Sequence, residues 1–169
     1  MEIRRLGPAD VVAYRALRLR GLREHPDAFT SSHDEEAAKP MEATEARLSP
    51  EAGGGMWGAI VDGDLVGAIG LLREPRVKNR HKGDVFGMYV APEHTGHGVG
   101  TALLHHLIGA ARREPGLLQL VLTVTDTNAS ARGLYEKAGF RSFGVEPRAI
   151  QVDDRFYDKN HMILFLAQP

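Results

Sequence analysis

The chain has 169 residues, of which 43% are hydrophobic and 25% are charged, and its formal net charge is −1. This composition predicts one soluble domain over residues 1–169 that buries a sizeable core. The near-neutral charge provides no field for nucleic acid or for an anionic membrane. Because there is no cysteine, disulfides, thiolate metal ligands and a cysteine nucleophile are excluded, and we expect a cytoplasmic protein. The charges within residues 1–25 leave no apolar stretch for a signal peptide or a membrane span.

The first third of the chain predicts one strand followed by two helices. Glu2–Leu6 is compatible with a short strand, and Gly7–Asp10 marks the start of a helix, with a proline and an acid in its first turn. The apolar face of this helix consists of Val11, Tyr14, Leu17 and Leu22. The arginines between these residues indicate a solvated face, with contact of one of them to ligand phosphates as the alternative. His25-Pro26 ends the helix, and a polar connection over residues 30–36 leads to a second helix at Met41–Leu48.

Two apolar runs in the middle of the chain predict a β-hairpin. Met56–Val61 and Leu65–Leu72 flank Asp62-Gly63-Asp64, and an Asp-Gly pair between such runs is a strong hairpin signal. The glycines at 53–55 before the first run indicate a flexible join. The basic segment Arg73–Lys82 after the second run indicates a solvated loop, with contact to an acidic acceptor or to phosphate as the alternative.

A glycine-rich turn follows the next predicted strand. Val85–Val90 suits a strand buried on both faces, and Pro92 ends it. Glycines then follow at three alternate positions: Gly96, Gly98 and Gly100. A helix with an apolar stripe opens near Thr101. Because the first backbone N–H groups of a helix have no internal partner, this arrangement predicts an anion site.

Several kinds of site share such a turn. A nucleoside-triphosphate loop requires a lysine before Thr101, and none is present. A dinucleotide site requires G-x-G-x-x-G directly after the first strand of its unit, whereas here about five residues separate the strand from Gly96. A coenzyme A site and a plain tight turn both remain compatible with the pattern.

The last third of the chain predicts a strand, a helix and two further strands. Leu117–Val124 is rich in Leu and Val, and Asn128 is suited to cap a short helix after it. Phe140–Val145 is a predicted strand, residues 147–156 a connection, and Tyr157–Leu166 the last strand. The expected fold is therefore α/β with a mixed central sheet flanked by helices, in the order βααβββαβαββ.

Two blocks of the sequence resemble the GCN5-related N-acetyltransferase (GNAT) superfamily. Residues 95–100, T-G-H-G-V-G, are similar to its acyl-CoA signature, although Thr95 stands where Arg or Gln is usual. Residues 128–140, N-A-S-A-R-G-L-Y-E-K-A-G-F, are similar to its second motif. The resemblance implies the acyl-CoA N-acyltransferase fold and acetyl-CoA as cosubstrate, with no metal.

The resemblance also implies roles for individual residues. The phenol of Tyr135 corresponds to the catalytic group that faces the coenzyme sulfur. The strand backbone that faces the thioester carbonyl corresponds to Met88, Tyr89 and Val90. The remaining coenzyme-binding positions are Thr95, Gly96, His97, Gly98, Gly100, Thr101, Asn128 and Arg132.

The general base is not identified by either block. The strand that carries a carboxylate in many members of the superfamily has only Asp84 just before it. Other candidates are Asp126, Asp153, His161 and the acidic and histidine side chains of residues 33–36, and an amine near its own pKa needs no base at all.

The expected activity is direct acetyl transfer from acetyl-CoA to a primary amine in a ternary complex. The acceptor is a small-molecule amine, a peptide N-terminus or a lysine, and the resemblance is compatible with a homodimer. Two other hypotheses stay open, a non-catalytic coenzyme A binding or sensing module and a dinucleotide-dependent oxidoreductase.

Overall fold

The computed structural model describes residues 1–49 and 54–166. Gly53 of the predicted flexible join lies outside these ranges, whereas Gly54 and Gly55 belong to a strand. None of the helices in the described ranges combines the length and the hydrophobicity needed to cross a bilayer.

Seven strands and five α-helices make up the described part of the chain. The strands are β1 (Glu2–Arg5), β2 (Gly54–Val61), β3 (Asp64–Arg73), β4 (Lys82–Val90), β5 (Gln119–Thr125), β6 (Arg141–Val152) and β7 (Arg155–Phe165). The helices are α1 (Val11–Glu24), α2 (His33–Ala38), α3 (Met41–Leu48), α4 (Val99–Arg113) and α5 (Ala129–Lys137). Short 3₁₀ turns precede α1 and α4 at Pro8–Asp10 and Pro92–His94.

The strands form one mixed sheet in the order β1-β2-β3-β4-β5-β7-β6. The pair β4–β5 is parallel, and the other neighbouring strands are antiparallel. The predicted hairpin is β2–β3, and its turn places Asp62 and Gly63 at φ values of 53° and 92°, the left-handed region that an Asp-Gly turn adopts readily. The predicted α/β class with a mixed sheet is confirmed.

Helices cover both faces of the sheet. On one face, α4 buries a stripe of apolar side chains in a core that also contains Tyr135 and Phe140 from the segment around α5. On the other face, α1 and α3 pack against the sheet, where Tyr14, Leu17 and Leu48 join a second core. The stripe on α4 consists of Val99, Leu103, Leu104, Leu107, Ile108 and Ala111.

The prediction of two helices before the hairpin was wrong, because part of the polar connection folds as α2. The Ser32 hydroxyl accepts a hydrogen bond from the Glu35 N–H at 3.2 Å, and the Glu35 carboxylate accepts one from the Ser32 N–H at 3.1 Å. This reciprocal capping box satisfies two N–H groups at the start of α2. The S-x-x-E pattern at residues 32–35 is visible in the sequence.

The prediction of a connection at residues 147–156 was also wrong. β6 and β7 continue through it and pair Ile150 with Tyr157 and Val152 with Arg155. A bulge between Glu146 and Ile150, with Arg148 at a φ of 51°, interrupts the ladder and accommodates the proline at 147.

Gly21 allows α1 to lie directly on Tyr89 of β4. A β-carbon at position 21 would come within 2.9 Å of the Tyr89 Cγ atom, which is closer than carbon atoms pack. The Tyr89 ring is buried and cannot move aside. The small size of Gly21 therefore sets the distance between α1 and the sheet.

We predict opposite effects for two glycine-to-alanine substitutions within helices. Gly21→Ala should lower the free energy of unfolding by about 1–3 kcal/mol, because the added methyl group overpacks against Tyr89. Gly109→Ala in α4 should raise it by about 0.5–1 kcal/mol, since its nearest contact lies at an ordinary 3.7 Å. Chemical denaturation of the two variants measures both effects, and stabilisation by Gly21→Ala would contradict the packing described.

Candidate active site

A cleft opens where β4 and β5 separate. The two strands pair at Lys82–Asp84 and Gln119–Val121, and beyond these pairs a cleft of about 320 Å³ lies between them. Its walls are built from β4, β5, α5, the loop after α1 and single side chains of α1, α3 and β7. The residues are Arg18, Ala28, Phe29, Thr30, Ser31, Arg47, Val85, Phe86, Gly87, Met88, Thr123, Val124, Asn128, Ala131, Leu134, Tyr135 and Lys159.

The cleft connects the two faces of the sheet. Leu134 and Tyr135 belong to the core on the α4–α5 face, whereas Phe29 packs against the core on the α1–α3 face. Two ligands that enter from opposite faces would therefore meet between β4 and β5.

A β-bulge in β4 lies at the edge of this cleft. Phe86 pairs with Gly70 and Tyr89 with Ala68, so that Gly87 and Met88 together lie opposite the one β3 residue between them. Gly87 has a φ of 64°, which strongly favours glycine. The bulge interrupts the ladder between β3 and β4 and changes the direction of the β4 backbone beside the cleft.

The three predicted β4 residues point in different directions. Met88 lines the cleft. Tyr89 packs under α1, and its hydroxyl donates a hydrogen bond to the Glu24 carboxylate at 2.5 Å. Burial and the Glu24 carboxylate raise the pKa of Tyr89. The Val90 side chain packs toward Gly67 and Gly100, so any contact of Tyr89 and Val90 with a coenzyme would come from their backbone.

The glycine-rich turn before α4 forms an open cradle. Gly96 and Gly98 have φ values of 79° and 78°, and a β-carbon on either would meet no atom of the described residues within 4 Å. The Ala102 N–H donates to the Gly98 carbonyl, so the N–H groups just before it have no partner in the helix. His97 and Thr101 are exposed beside these groups.

Two residues assigned to this turn also have structural roles. The Thr95 hydroxyl donates a hydrogen bond to the Pro92 carbonyl at 2.8 Å, so its proton is already used within the turn. A β-carbon at Gly100 would lie 3.2 Å from the Met88 Cε atom and 3.5 Å from Leu134. Gly100 therefore lets α4 approach β4 and α5 closely.

A surface network that we did not predict holds the turn against α1. The Arg20 guanidinium donates to both Glu93 carboxylate oxygens at 2.7 and 2.8 Å and to Glu24 at 2.8 Å. Glu24 in turn accepts the hydrogen bond from Tyr89. The bond to Arg20 lowers the pKa of Glu93 to about 2. Because Glu93 lies in the 3₁₀ turn just before the glycines, the network fixes where the cradle begins.

Tyr135 lies in the wall of the cleft, with 6% of its surface exposed. Its ring packs edge-on against that of Phe140, with the ring centroids 5.9 Å apart. Burial raises the pKa of its phenol to about 12. Asn128 caps its helix, α5, and the Asn128 side-chain oxygen accepts a hydrogen bond from the Ala131 N–H at 3.0 Å. The phenol therefore stays protonated at neutral pH and is held on a capped helix.

Arg132 lies outside the cleft lining. Its guanidinium forms ion pairs with Asp126 at 3.5 Å and with Glu136 at 3.4 Å, and the side chain is 40% exposed. Asn128, in contrast, lines the cleft at the start of α5.

The candidate bases lie outside the lining of the cleft. No aspartate, glutamate or histidine is among the described residues that line it. His161 contacts Glu146 at 3.1 Å, and burial together with the neighbouring Glu74 raises the pKa of Asp84. His33, Asp34 and Asp153 line an adjoining groove, which shares Phe29, Thr30 and Ser31 with the cleft.

Three cationic side chains of the cleft were not predicted as site residues: Arg18, Arg47 and Lys159. The Lys159 ammonium is buried and donates to the Ala28 carbonyl at 2.9 Å and to Thr125 at 3.0 Å. Arg18 could have been found from its spacing, because it follows Tyr14 by four positions and so lies on the apolar face of α1.

Comparison with known proteins identifies the family. The model of the Acetyltransferase (GNAT) family matches residues 19–140. Human N-acetyltransferase 8B is 32% identical over 103 residues, which are 60% of this chain and 44% of that protein. The L-amino acid N-acetyltransferase AaaT of Escherichia coli is 28% identical over 118 residues, 70% of this chain and 72% of AaaT.

The solved structures agree with this match. The structure of yncA from Salmonella typhimurium with its cofactor acetyl-CoA is 25% identical, covers 100% of this chain and 95% of its own, and superposes with a TM-score of 0.83. The chain belongs to the Acetyltransferase (GNAT) family, as the two sequence blocks had indicated. This chain spans less than half the length of the human relative.

Proposed function

We propose that this chain is an acetyl-CoA-dependent N-acetyltransferase that transfers acetyl directly to a primary amine within a ternary complex. The observation that carries the proposal is the cleft between β4 and β5, which reaches both faces of the sheet and has Tyr135 in its wall. Membership of the family and the relatives named N-acetyltransferases support the same reaction.

The coenzyme would bind from the face that carries α4 and α5. Its pyrophosphate would rest on the open cradle at Gly96 and Gly98, where unpaired N–H groups and the dipole of α4 favour an anion. Its pantetheine arm would follow β4 past Met88 into the cleft, so that the thioester reaches Tyr135. A backbone N–H beside the bulge would donate to the thioester carbonyl as negative charge develops there.

The proposed reaction forms one bond and breaks one. The lone pair of a neutral amine attacks the thioester carbonyl carbon, and the tetrahedral intermediate collapses as the carbon–sulfur bond breaks. The amine nitrogen loses one proton, and the coenzyme thiolate gains one. Because the chain contains no cysteine, an acetyl-cysteine intermediate plays no part in this scheme.

Tyr135 would donate a hydrogen bond to the departing thiolate. Its pKa of about 12 lies about 3.5 above the ordinary thiol value of about 8.5, so complete proton transfer to sulfur is unfavourable. A hydrogen bond that strengthens as sulfur becomes negative requires no such transfer. The proton that the thiolate finally gains would therefore come from the amine or from water.

The charge of the cleft would help to deprotonate the acceptor. Arg18, Arg47 and Lys159 line it, and nearby positive charge disfavours an ammonium ion relative to a neutral amine. Together with the absence of a carboxylate or imidazole from the described lining, this favours an acceptor that loses its proton to water. The acceptor class is a small-molecule amine or the amine of a peptide.

Coenzyme A release from acetyl-CoA, followed with a thiol-reactive dye, tests the proposal. We expect release that depends on the acceptor in a panel of amino acids, polyamines, aminoglycosides and peptides. The protein itself gives no thiol background, because it has no cysteine. Binding of acetyl-CoA without release would support a sensing role, and stabilisation by NADH alone would support the oxidoreductase hypothesis.

Gly98→Ala should weaken acetyl-CoA binding at least tenfold, because the added methyl group projects into the open cradle. Gly63→Ala is the matched control, since Gly63 also has a positive φ and open space around it but lies in the β2–β3 turn. Both variants should lose about 1–2 kcal/mol of stability through backbone strain. Isothermal titration with acetyl-CoA distinguishes them, and equal affinities would contradict the position of the cradle.

Tyr135→Phe should lower kcat roughly 10- to 100-fold, the effect of losing one hydrogen bond to a charged group, and leave the acetyl-CoA Kd unchanged. The phenol of the parent protein stays protonated below its pKa of about 12. The pH profile of kcat for Tyr135→Phe between about pH 6 and pH 9 should therefore have the same shape as that of the parent. Tyr157→Phe, a tyrosine of β7 outside the cleft lining, is the control. A change of Kd with an unchanged kcat would indicate a packing role instead.

A further inference from the structure

The acceptor side of the cleft carries three cationic side chains, and one of them, Arg18, forms no ion pair within the described part of the chain. We infer that the acceptor amine bears a carboxylate, as a free α-amino acid does, and that Arg18 binds this carboxylate with Arg47 beside it. The inference rests on the proposed acetyl transfer and adds the chemical class of the acceptor to it.

Arg18 is held in place without an ionic partner. Its guanidinium lies 4.9 Å above the ring of Phe29, and its Nε atom is buried with no hydrogen-bond partner in the described part of the chain. None of the ion pairs among the described residues includes it. A buried polar group in this state is unfavourable unless a ligand completes its hydrogen bonds.

The nearest acid is already engaged. The buried Glu36 carboxylate accepts hydrogen bonds from Lys39 at 2.8 Å and from Arg47 at 3.1 Å. Although burial raises it, Lys39 and Arg47, with a smaller effect of the Arg18 charge, hold the pKa of Glu36 below its usual value. The direct hydrogen bonds of Glu36 thus go to Lys39 and Arg47, and Glu36 acts on Arg18 only through its charge. The N–H donors of Arg18 therefore stay available to a ligand.

Arg18 and Tyr135 lie in the wall of the same cleft but come from opposite faces of the sheet. Arg18 projects from α1 on one face of the sheet, and Tyr135 from α5 on the other. A carboxylate bound at Arg18 would leave the adjacent amine directed into the gap between β4 and β5, where the thioester would arrive. A guanidinium offers two parallel N–H donors to a carboxylate, which fixes orientation as well as position.

The same charge would reject other amines. Polyamines and aminoglycosides carry further positive charges that Arg18, Arg47 and Lys159 would repel. A peptide N-terminus has a neutral amide where a free amino acid has its carboxylate, and it would leave the Arg18 donors unsatisfied. The comparison of an amino acid with its own carboxamide therefore isolates the carboxylate.

The experiment measures kcat/KM for a panel of L-amino acids and for their matched carboxamides. In the unmodified protein we expect kcat/KM at least about tenfold higher for the acids. The α-ammonium group of a carboxamide loses its proton more readily than that of the free amino acid. This difference favours the carboxamides, so it cannot produce the expected preference for the acids. Higher kcat/KM for the carboxamides would overturn the inference.

Arg18→Gln should bring the acid-to-amide ratio close to one by lowering kcat/KM for the acids alone. Arg18→Lys should give a ratio between those of the parent and of Arg18→Gln, because lysine keeps the positive charge but lacks the two parallel N–H donors of the guanidinium. Arg112→Gln, an exposed arginine at the end of α4, should leave the ratio unchanged. The acetyl-CoA Kd of Arg18→Gln should equal that of the parent, which shows that the cleft still folds, and an unchanged ratio in this variant would overturn the inference.

A binding measurement distinguishes failure of the inference from failure of the proposed reaction. Titration of L-amino acids and carboxamides into the protein saturated with coenzyme A should give tighter binding of the acids, lost in Arg18→Gln. Such binding without any turnover would overturn acetyl transfer and keep the carboxylate site. Turnover of both classes at equal kcat/KM would overturn the carboxylate site and keep acetyl transfer.

Discussion

The loss of pairing between β4 and β5 is the constraint on which the rest of the structure depends. The strands begin as a parallel pair at Lys82–Asp84 and then separate in the middle of the sheet. Backbone groups along the gap cannot bond across it, and buried backbone groups require partners. A ligand arm with its own amides, such as that of the proposed coenzyme, supplies such partners. The bulge at Gly87 adds to the unpaired backbone on the β4 side.

The elements around the gap determine what reaches it from each face. On the α4–α5 face, Gly100 brings α4 close to Met88 and Leu134, so that the cradle lies near the end of β4. On the α1–α3 face, Gly21 lets α1 rest on the Tyr89 ring. That contact places Arg18, three positions earlier in the helix, beside the cleft. Two close approaches made possible by glycine thus set the positions of both proposed binding regions.

Local patterns predicted most of the fold, including the open glycine turn before α4. The Asp-Gly hairpin, the apolar stripe of α4 and the glycine turn each depend on residues close in sequence. The β6–β7 hairpin was predicted too short, because the proline at 147 is typical of a strand end, whereas a bulge beside it lets the pairing continue to Val152 and Arg155. Arg18 was interpreted as solvated, since only the folded chain brings Phe29 and Arg47 around it.

Burial in the cleft acts on its two key side chains in opposite ways. It raises the pKa of Tyr135 to about 12, which keeps the phenol a donor without any partner charge. It lowers the pKa of Arg18, yet a guanidinium stays protonated, so the positive charge persists in a setting that disfavours it. The ligand that best compensates the buried Arg18 charge is an anion with two acceptor oxygens. Leaving Arg18 unpaired lowers the stability of the free protein. Binding of a carboxylate-bearing acceptor would recover this free energy and so increase the affinity for that acceptor.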